Sequence, residues 1–546
     1  MPSSNSTLKT KSRSKRGRPT TPSFVCAVPL HVTPAQETLL LTRFEAARQL
    51  YNALLGEALR RLRLLQQSRA HQAARKLPRG EKDSPQQKER AIAFAKARRA
   101  VGFTESALSR YATTIHASWI GDHVDAVIGQ TLTRRAFGAV NRFALGKAHK
   151  VRFKGQRGLH QIGSLEGKSH AAGLRWREGA LHWGVIVLPM VNGVDNDPVI
   201  AYGLAQRIKY VRLVRRTIKG RLRWFAQLVC EGVPMRKIDQ TTGQFRHPYG
   251  SEVQALDIGP STIAIVGDTQ AELRQFAAEV VRDHARIRQV QRHLDRQRRA
   301  NNPDCYDDQG RAIPGKHPTQ SSRHQRQTEA HLAELYRREA AHRKTLHGQL
   351  ANHVIAHGIF IKTETLSYKA FQKRYGRSIG VRAPKLFLTI LARKAERAGG
   401  GVIEFNTRTT ALSQVCFCGQ KHKKRLSERV HACGCGVTMQ RDLFSAYWAR
   451  FVEDDALPVA KARESWPGAE PLLRTAWQQA TQNQPASRGR VPSSFGRYPS
   501  GPSQSGSSEK EGLPEPKAAD AVAFARPLGV PEAGQAGARA AERVKV

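Results

Sequence analysis

Apolar and polar positions divide the chain into stretches of different period. From Phe24 an alternating run, F-V-C-A-V-P-L-H-V, gives way at Thr33-Pro34 to residues repeating every three or four positions. Leu40, Phe44, Ala47, Leu50, Tyr51 and Leu54 share one stripe, which predicts a strand and then a helix capped by Thr33. Helices with basic faces continue to about residue 146, broken by a charged, Gln-rich linker at 77–90. From K-V-R-F-K-G to about residue 233 the period falls to two, the pattern of a half-buried antiparallel sheet.

The second half mixes the two periods. V-Q-A-L-D-I-G-P-S-T-I-A-I-V-G-D predicts two strands about a Gly259-Pro260 turn, with Asp257 closing the first. An Arg-rich helix over 277–300, a loop at 301–320 and a second, antiparallel helix marked by Leu332, Leu335, Leu346, Leu350 and Val354 follow. G-I-F-I-K-T-E is a strand ending at Glu364, and K-A-F-Q-K-R-Y-G-R-S-I-G-V-R-A-P after it reads as a basic loop. A helix from near Pro384 to Gly399-Gly400 precedes the strand V-I-E-F-N. In R-D-L-F-S-A-Y-W-A-R-F, Phe444, Tyr447, Trp448 and Phe451 fall on one helix face, with Asp442 in the first turn. Periodicity fades beyond about residue 455, and residues 481–546, rich in Pro, Gly, Ser and Ala, are expected to be disordered.

Charge narrows the choice of partner. The 546 residues carry 90 Lys and Arg against 44 Asp and Glu, a net charge of +46. That excess implies a polyanion, and nucleic acid rather than a membrane surface. No apolar run approaches the ~20 residues that span a bilayer. Residues 1–22 are a basic, Ser-rich arm without the apolar core of a secretory signal; Arg16-Gly17-Arg18-Pro19 within it has the look of an AT-hook core, though a solvated tail is the simpler reading. Arg134, Arg135, Arg142 and Lys147, at the end of the helical region, are candidates for phosphate contact. In the β region Lys209, Arg212, Arg215, Arg216, Lys219, Arg221 and Arg223 are expected to make one cationic sheet face. Of seven Cys, four cluster near residue 425, which suits a reducing compartment and a metal site better than disulfides; Cys26 and Cys230 read as packing residues.

Asp257, Glu364 and Asp442 thus stand at two strand ends and in one first helical turn. This suits an RNase H-like nuclease core, in which several carboxylates hold two hard divalent cations over a phosphate. Strand-end acids are common at loops, so the segment before Asp442 matters more. There T-A-L-S-Q-V-C-F-C-G and C-G-C-G-V-T-M-Q-R-D resemble the C-terminal signature of the TnpB nucleases of transposons and their relatives, the type V CRISPR effectors. The likeness extends over roughly residues 23–452, including Arg48, Tyr51 and Asn52, which stand where that family has Arg-x-x-Tyr-Asn.

The resemblance implies a multidomain α+β protein. It would contain a β-barrel wedge domain (23–40 and 147–250), a helical recognition domain (41–146) and an RNase H-like (RuvC) nuclease core (251–411 and 438–455). A zinc ribbon (412–437) interrupts that core, and 456–546 form a mostly disordered tail. It implies an RNA-guided DNA endonuclease of the bacterial cytoplasm, partnered by a guide RNA and target double-stranded DNA beside a short flanking motif. Asp257, Glu364 and Asp442 would hold Mg²⁺ or Mn²⁺, with Arg441 in support, and Cys416, Cys418, Cys433 and Cys435 would hold Zn²⁺. The family usually has Cys-x-x-Cys twice, whereas both pairs here are one residue shorter; Gly419 and Gly436 still follow them, and His422 and His431 are near enough to replace a thiolate. A transposase proper and a nucleic-acid-binding regulator that does not cut stay open as alternatives.

Overall fold

The computed structural model describes residues 21–81, 83–156, 161–239, 241–425, 427–482, 493–496 and 498. The AT-hook-like arm and most of the C-terminal tail lie outside these residues. The chain divides into two compact units, the first running to Met235 and the second starting at Arg236.

In the first unit β1 (Ser23–Leu30) buries every second residue, Phe24, Cys26, Val28 and Leu30. Helix α1 (Pro34–Gln67) starts from a capping box in which Thr33 accepts from the Gln36 N–H and the Gln36 side chain accepts from the Thr33 N–H. It packs with α4 (Glu105–His116), α5 (Ile120–His123) and α6 (Ala126–Ala144), whereas α2 (Arg69–Lys76) and α3 (Pro85–Ala100) pair beside it. The β region supplies β2 (Ser164–Glu166), β3 (Arg175–Arg177), β4 (Ala180–Trp183), β5 (Ile186–Pro189), β6 (Ile208–Ile218) and β7 (Arg221–Glu231). Helix α7 (Pro198–Leu204) interrupts it, where unbroken β structure was expected. In the region where the resemblance implies a split barrel, the strands lie in two sheets, ordered β1-β7-β6-β2 and β3-β4-β5, with a Leu30–Met190 bridge between them.

The second unit is built on one five-stranded sheet, ordered β10-β9-β8-β11-β12. Strands β8 (Val253–Ile258), β9 (Thr262–Val266) and β10 (Ala271–Gln275) form an antiparallel meander. β11 (Phe360–Glu364) and β12 (Gly401–Phe405) add parallel to β8 after long helical crossovers. The crossovers are α8 (Ala278–Asn301), α9 (Arg323–His357), α10 (Tyr368–Arg382) and α11 (Pro384–Arg397). α12 (Thr407–Thr410) leads to a hairpin of β13 (Val430–Ala432) and β14 (Thr438–Gln440), which runs directly into α13 (Arg441–Ala449). Last come α14 (Val459–Glu464), α15 (Trp466–Gln482) and a single turn at Ser493–Phe495.

Helices cover both faces of this sheet, and alternation decides which residue serves which face. Leu256, Ile258, Ile263, Ile265 and Ile361 join Val354, Phe387 and Leu391 of α9 and α11. The alternate residues Ala255, Ala264 and Val266 face α13 and α15. Alanines at two of these positions let α13 lie close to the strands.

Two expectations are corrected here. The basic stretch after Glu364 is α10, not a loop; Gly376 and Gly380 weaken its helical pattern, and packing of Ile379 and Val381 supplies what propensity lacks. Nor does structure end at residue 455. Trp466, Leu473, Ala476 and Trp477 of α15 are buried against β10 and α13, and Phe495 closes over Trp477.

Candidate active site and metal centre

Asp257 shares the face of Ala255, and Glu364 shares that of Lys362, whose Nζ donates to the Arg450 and Val452 carbonyls just past the end of α13. In the parallel register of β8 and β11, Leu256 stands opposite Thr363, so Asp257 and Glu364 are neighbours at adjacent strand ends. Asp442, in the first turn of α13, is buried over the same face. Its carboxylate accepts from the Thr262 hydroxyl at 3.2 Å, with the Arg441 guanidinium at 3.3 Å and that of Arg429 at 3.9 Å.

Three carboxylates in a half-buried place are hard to ionise together. Burial, then the charges of Asp442 and Glu364, push Asp257 well above the usual carboxylate range, and Arg441 and Arg429 only partly oppose this. Burial raises Glu364 to about 7. Carboxylates are the hard oxygen donors that divalent cations prefer, although among the described residues it is the four cysteines whose ligand atoms all converge within 4.8 Å.

Arg441 has a positional part as well. Its guanidinium donates to the Glu428 carbonyl at 2.9 Å, and its backbone N–H donates to the Arg429 carbonyl at 2.8 Å. Gln440 caps α13 through the Leu443 N–H. The hairpin is therefore tied to the turn that carries Asp442.

The shortened cysteine pairs form two equivalent turns. The Cys416 N–H donates to Gln420 O and the Gly419 N–H to Cys416 O; the Cys433 N–H donates to Val437 O and the Gly436 N–H to Cys433 O. Gly419 and Gly436 hold φ of +80° and +95°, a backbone that other residues adopt only with strain. These glycines turn each knuckle despite the one-residue spacer. Cys416 lies 3.4 Å from Cys435 and Cys418 3.5 Å from Cys433, Sγ to Sγ, and all four sulfurs lie within 4.8 Å of one another. The Val437 N–H, the largest influence, brings the Cys435 thiol down to about 7. Four free thiols converging on one point suit a tetrahedral metal. His422 Nε2 is 3.4 Å from Cys433 Sγ, whereas His431 is buried against Phe444 and serves packing.

The basic candidates separate. Arg215 points into the core, its guanidinium 4.8 Å over Phe44 and donating to the Ile162 carbonyl, so it corrects the expected sheet face. Lys209 binds Thr21 and Pro22, Arg212 pairs with Glu166 at 2.9 Å and Arg135 donates to the Ser164 carbonyl. Arg134 is exposed beside Glu105 at 3.5 Å, and Arg142, Arg216 and Arg221 are exposed. Sequence reasoning missed Arg429, one of several cations in K-K-R-L-S-E-R, and nothing in its spacing distinguishes it. It also missed Phe417, which an aromatic between two clustered cysteines could have flagged.

Residues 385–448 match the family model of the Cas12f1-like TNB domain, a span that takes in α11, β12, the four cysteines and most of α13. Over that span the chain is similar to the Cas12f1-like TNB domain. No curated protein gives a significant match. Among solved structures, a cryo-EM structure of a Cas12f1–sgRNA–target DNA complex is similar at 11% identity and a TM-score of 0.39, over 78% of this chain and 98% of that one. A cryo-EM structure of a CRISPR-Cas12f ternary complex is similar at 11% identity and a TM-score of 0.27, over 76% of this chain and 81% of that one. No helix among the described residues is long and apolar enough to cross a membrane.

Proposed function

We propose that this chain is an RNA-guided DNA endonuclease of the TnpB and small type V kind, with a RuvC-like active site at Asp257, Glu364 and Asp442. Its partners are a guide RNA and target double-stranded DNA. The observation that carries this reading is that Asp257 and Glu364, at adjacent ends of β8 and β11, meet Asp442 of α13, which has Arg429 and Arg441 beside it. The family match over the segment that contains Asp442 supports it, and a net charge of +46 suits two nucleic acids gripped through their backbones.

Asp257, Glu364 and Asp442 would hold Mg²⁺ or Mn²⁺, which would supply an activated water and stabilisation of the departing 3′ oxygen. The protein prepares their seat. Asp257, raised by burial and by the charges of Asp442 and Glu364, and Glu364, raised by burial, would give up protons to a cation held there, so cation binding and proton release would be coupled. Thr262 and Arg441 hold Asp442 in one orientation, and Arg441 offers positive charge toward the scissile phosphate. Cys416, Cys418, Cys433 and Cys435 would hold Zn²⁺, which would brace the hairpin that Arg429 and Arg441 flank.

The test has two arms. Protein reconstituted with its copurifying RNA is given a replacement guide segment, and cleavage should move to DNA matching the new guide. Asp257→Ala, Glu364→Ala and Asp442→Ala should each abolish metal-dependent cleavage while DNA binding persists. Unchanged cleavage sites would remove the guided reading; wild-type rates in a folded Asp257→Ala protein would remove the site.

A further inference from the structure

Arg236 opens a short hairpin that contains none of the carboxylates or cysteines described above. Ile238 bridges Phe245, the Arg246 N–H donates to the Lys237 carbonyl, and the Asp239 N–H donates to the Gln244 carbonyl. The Arg236 guanidinium lies 3.5 Å from the ring centroid of Phe245 and 3.9 Å from that of Tyr249. It also donates to the His247 carbonyl at 3.2 Å. Each ring offers the cation one side, yet Phe245 is still 48% and Tyr249 39% exposed. A guanidinium that orders two half-exposed rings leaves flat aromatic surface facing water.

The surroundings are cationic. Lys237, Arg246 and His247 are exposed. From α11, Lys394 lies within electrostatic range of His247, and exposed Arg397 within range of Tyr249. The nearby acids weigh little against this. Asp239 spends its carboxylate on the Thr241 and Thr242 N–H groups of the turn, and Glu396 lies beside Arg397.

We propose that Phe245 and Tyr249 form a stacking platform for the bases of a single-stranded nucleic acid, whose backbone Lys237, Arg246 and Arg397 attract. Unpaired bases stack on exposed rings, whereas bases within a duplex are already stacked on each other. An acidic peptide would match the charge but leave the flat rings unused. The proposal rests on reading the chain as a protein that handles nucleic acid, and it needs no cleavage to be tested.

Full-length protein is mixed with short single-stranded DNA or RNA carrying 5-iodouracil, irradiated, and the adducts located by mass spectrometry. Adducts are expected on Phe245 or Tyr249, and the two oligonucleotides compared reveal which sugar is preferred. Phe245→Ala and Tyr249→Ala should each weaken binding roughly tenfold with an unchanged salt slope, because a stacked base releases no counterions. Phe245→Trp and Tyr249→Phe should bind like the wild type. Adducts found solely elsewhere, or alanine variants that flatten the salt slope, would overturn the platform and leave nucleic-acid binding standing. Absence of binding by both oligonucleotides would overturn both.

Discussion

Phe417, the residue between Cys416 and Cys418, sets its ring 4.7 Å from that of Trp448, on the helix whose first turn carries Asp442. It also meets Phe444, Tyr447 and Trp466, so the side chain that spaces two thiols anchors their knuckle to the sheet's own packing. The ribbon and the carboxylate helix are one mechanical piece.

Separating the two roles is direct. Phe417→Ala should cost about 3 kcal/mol, as truncation of a buried aromatic does, and should slow cleavage while leaving the bound metal at one per chain. Cys433→Ala should lose the metal itself. Thermal unfolding and elemental analysis of the two variants check this; metal lost equally from both would mean that the knuckle is not held by its thiols.

Arg429 should matter to catalysis, since it stands beside Asp442 and its charge also acts on Asp257. With Arg429→Gln, Asp442 keeps Arg441 and Thr262 but loses a positive charge at 3.9 Å. Cleavage is expected to slow about tenfold, an effect near 1.4 kcal/mol, with the unfolding temperature little changed. Single-turnover rates at saturating divalent cation decide it, and an unaltered rate removes Arg429 from the site.

The C-terminal side of the chain divides at Tyr498. Phe495 is 1% exposed, its carbonyl accepts from the Trp477 indole at 3.1 Å, and Tyr498 lies edge-on to that indole at 5.1 Å. A protein ending at Gln482 should therefore unfold several degrees lower, having lost about 3 kcal/mol of aromatic burial. One ending at Tyr498 should melt with the full chain. Equal melting of both truncations would restore the expectation that everything from residue 481 is dispensable.

Acid should weaken the second unit through His347. The imidazole is buried between Phe276, stacked at 5.4 Å, and Phe387 at 5.8 Å; burial, with Arg343 adding to it, lowers its pKa to about 4. The unfolded chain then binds the proton more readily than the folded one. Stability is fully present above the ordinary histidine value near 6.5 and falls as pH drops toward 4, by on the order of 3 kcal/mol. His347→Leu should flatten the stability profile between pH 4 and 6.5. Denaturant midpoints across that range test it, and an unchanged slope in the variant would count against His347.

How much was legible follows from what periodicity encodes. Alternation and the three-to-four-residue stripe mark which face of a segment avoids water, and so β1, α1, the β8–β9 turn, β11 and α13 were readable with their three carboxylates in place. The resemblance of the cysteine segment, with a Gly after each pair, marked the four cysteines as one cluster. Chain order, however, does not say which face of a sheet a helix covers. Only packing brought Asp442 over the Asp257 face, since alanines at 255 and 264 admit α13 there. Only packing turned Arg215 inward onto Phe44, because a strand's parity takes its meaning from the neighbour it meets. α10 and α15 went unread because glycines and a proline blur their stripes, and their burial is won from partners far along the chain. Arg429 went unread because a charge near a carboxylate is a relation in space, and the short-range pattern of residues carries no trace of it.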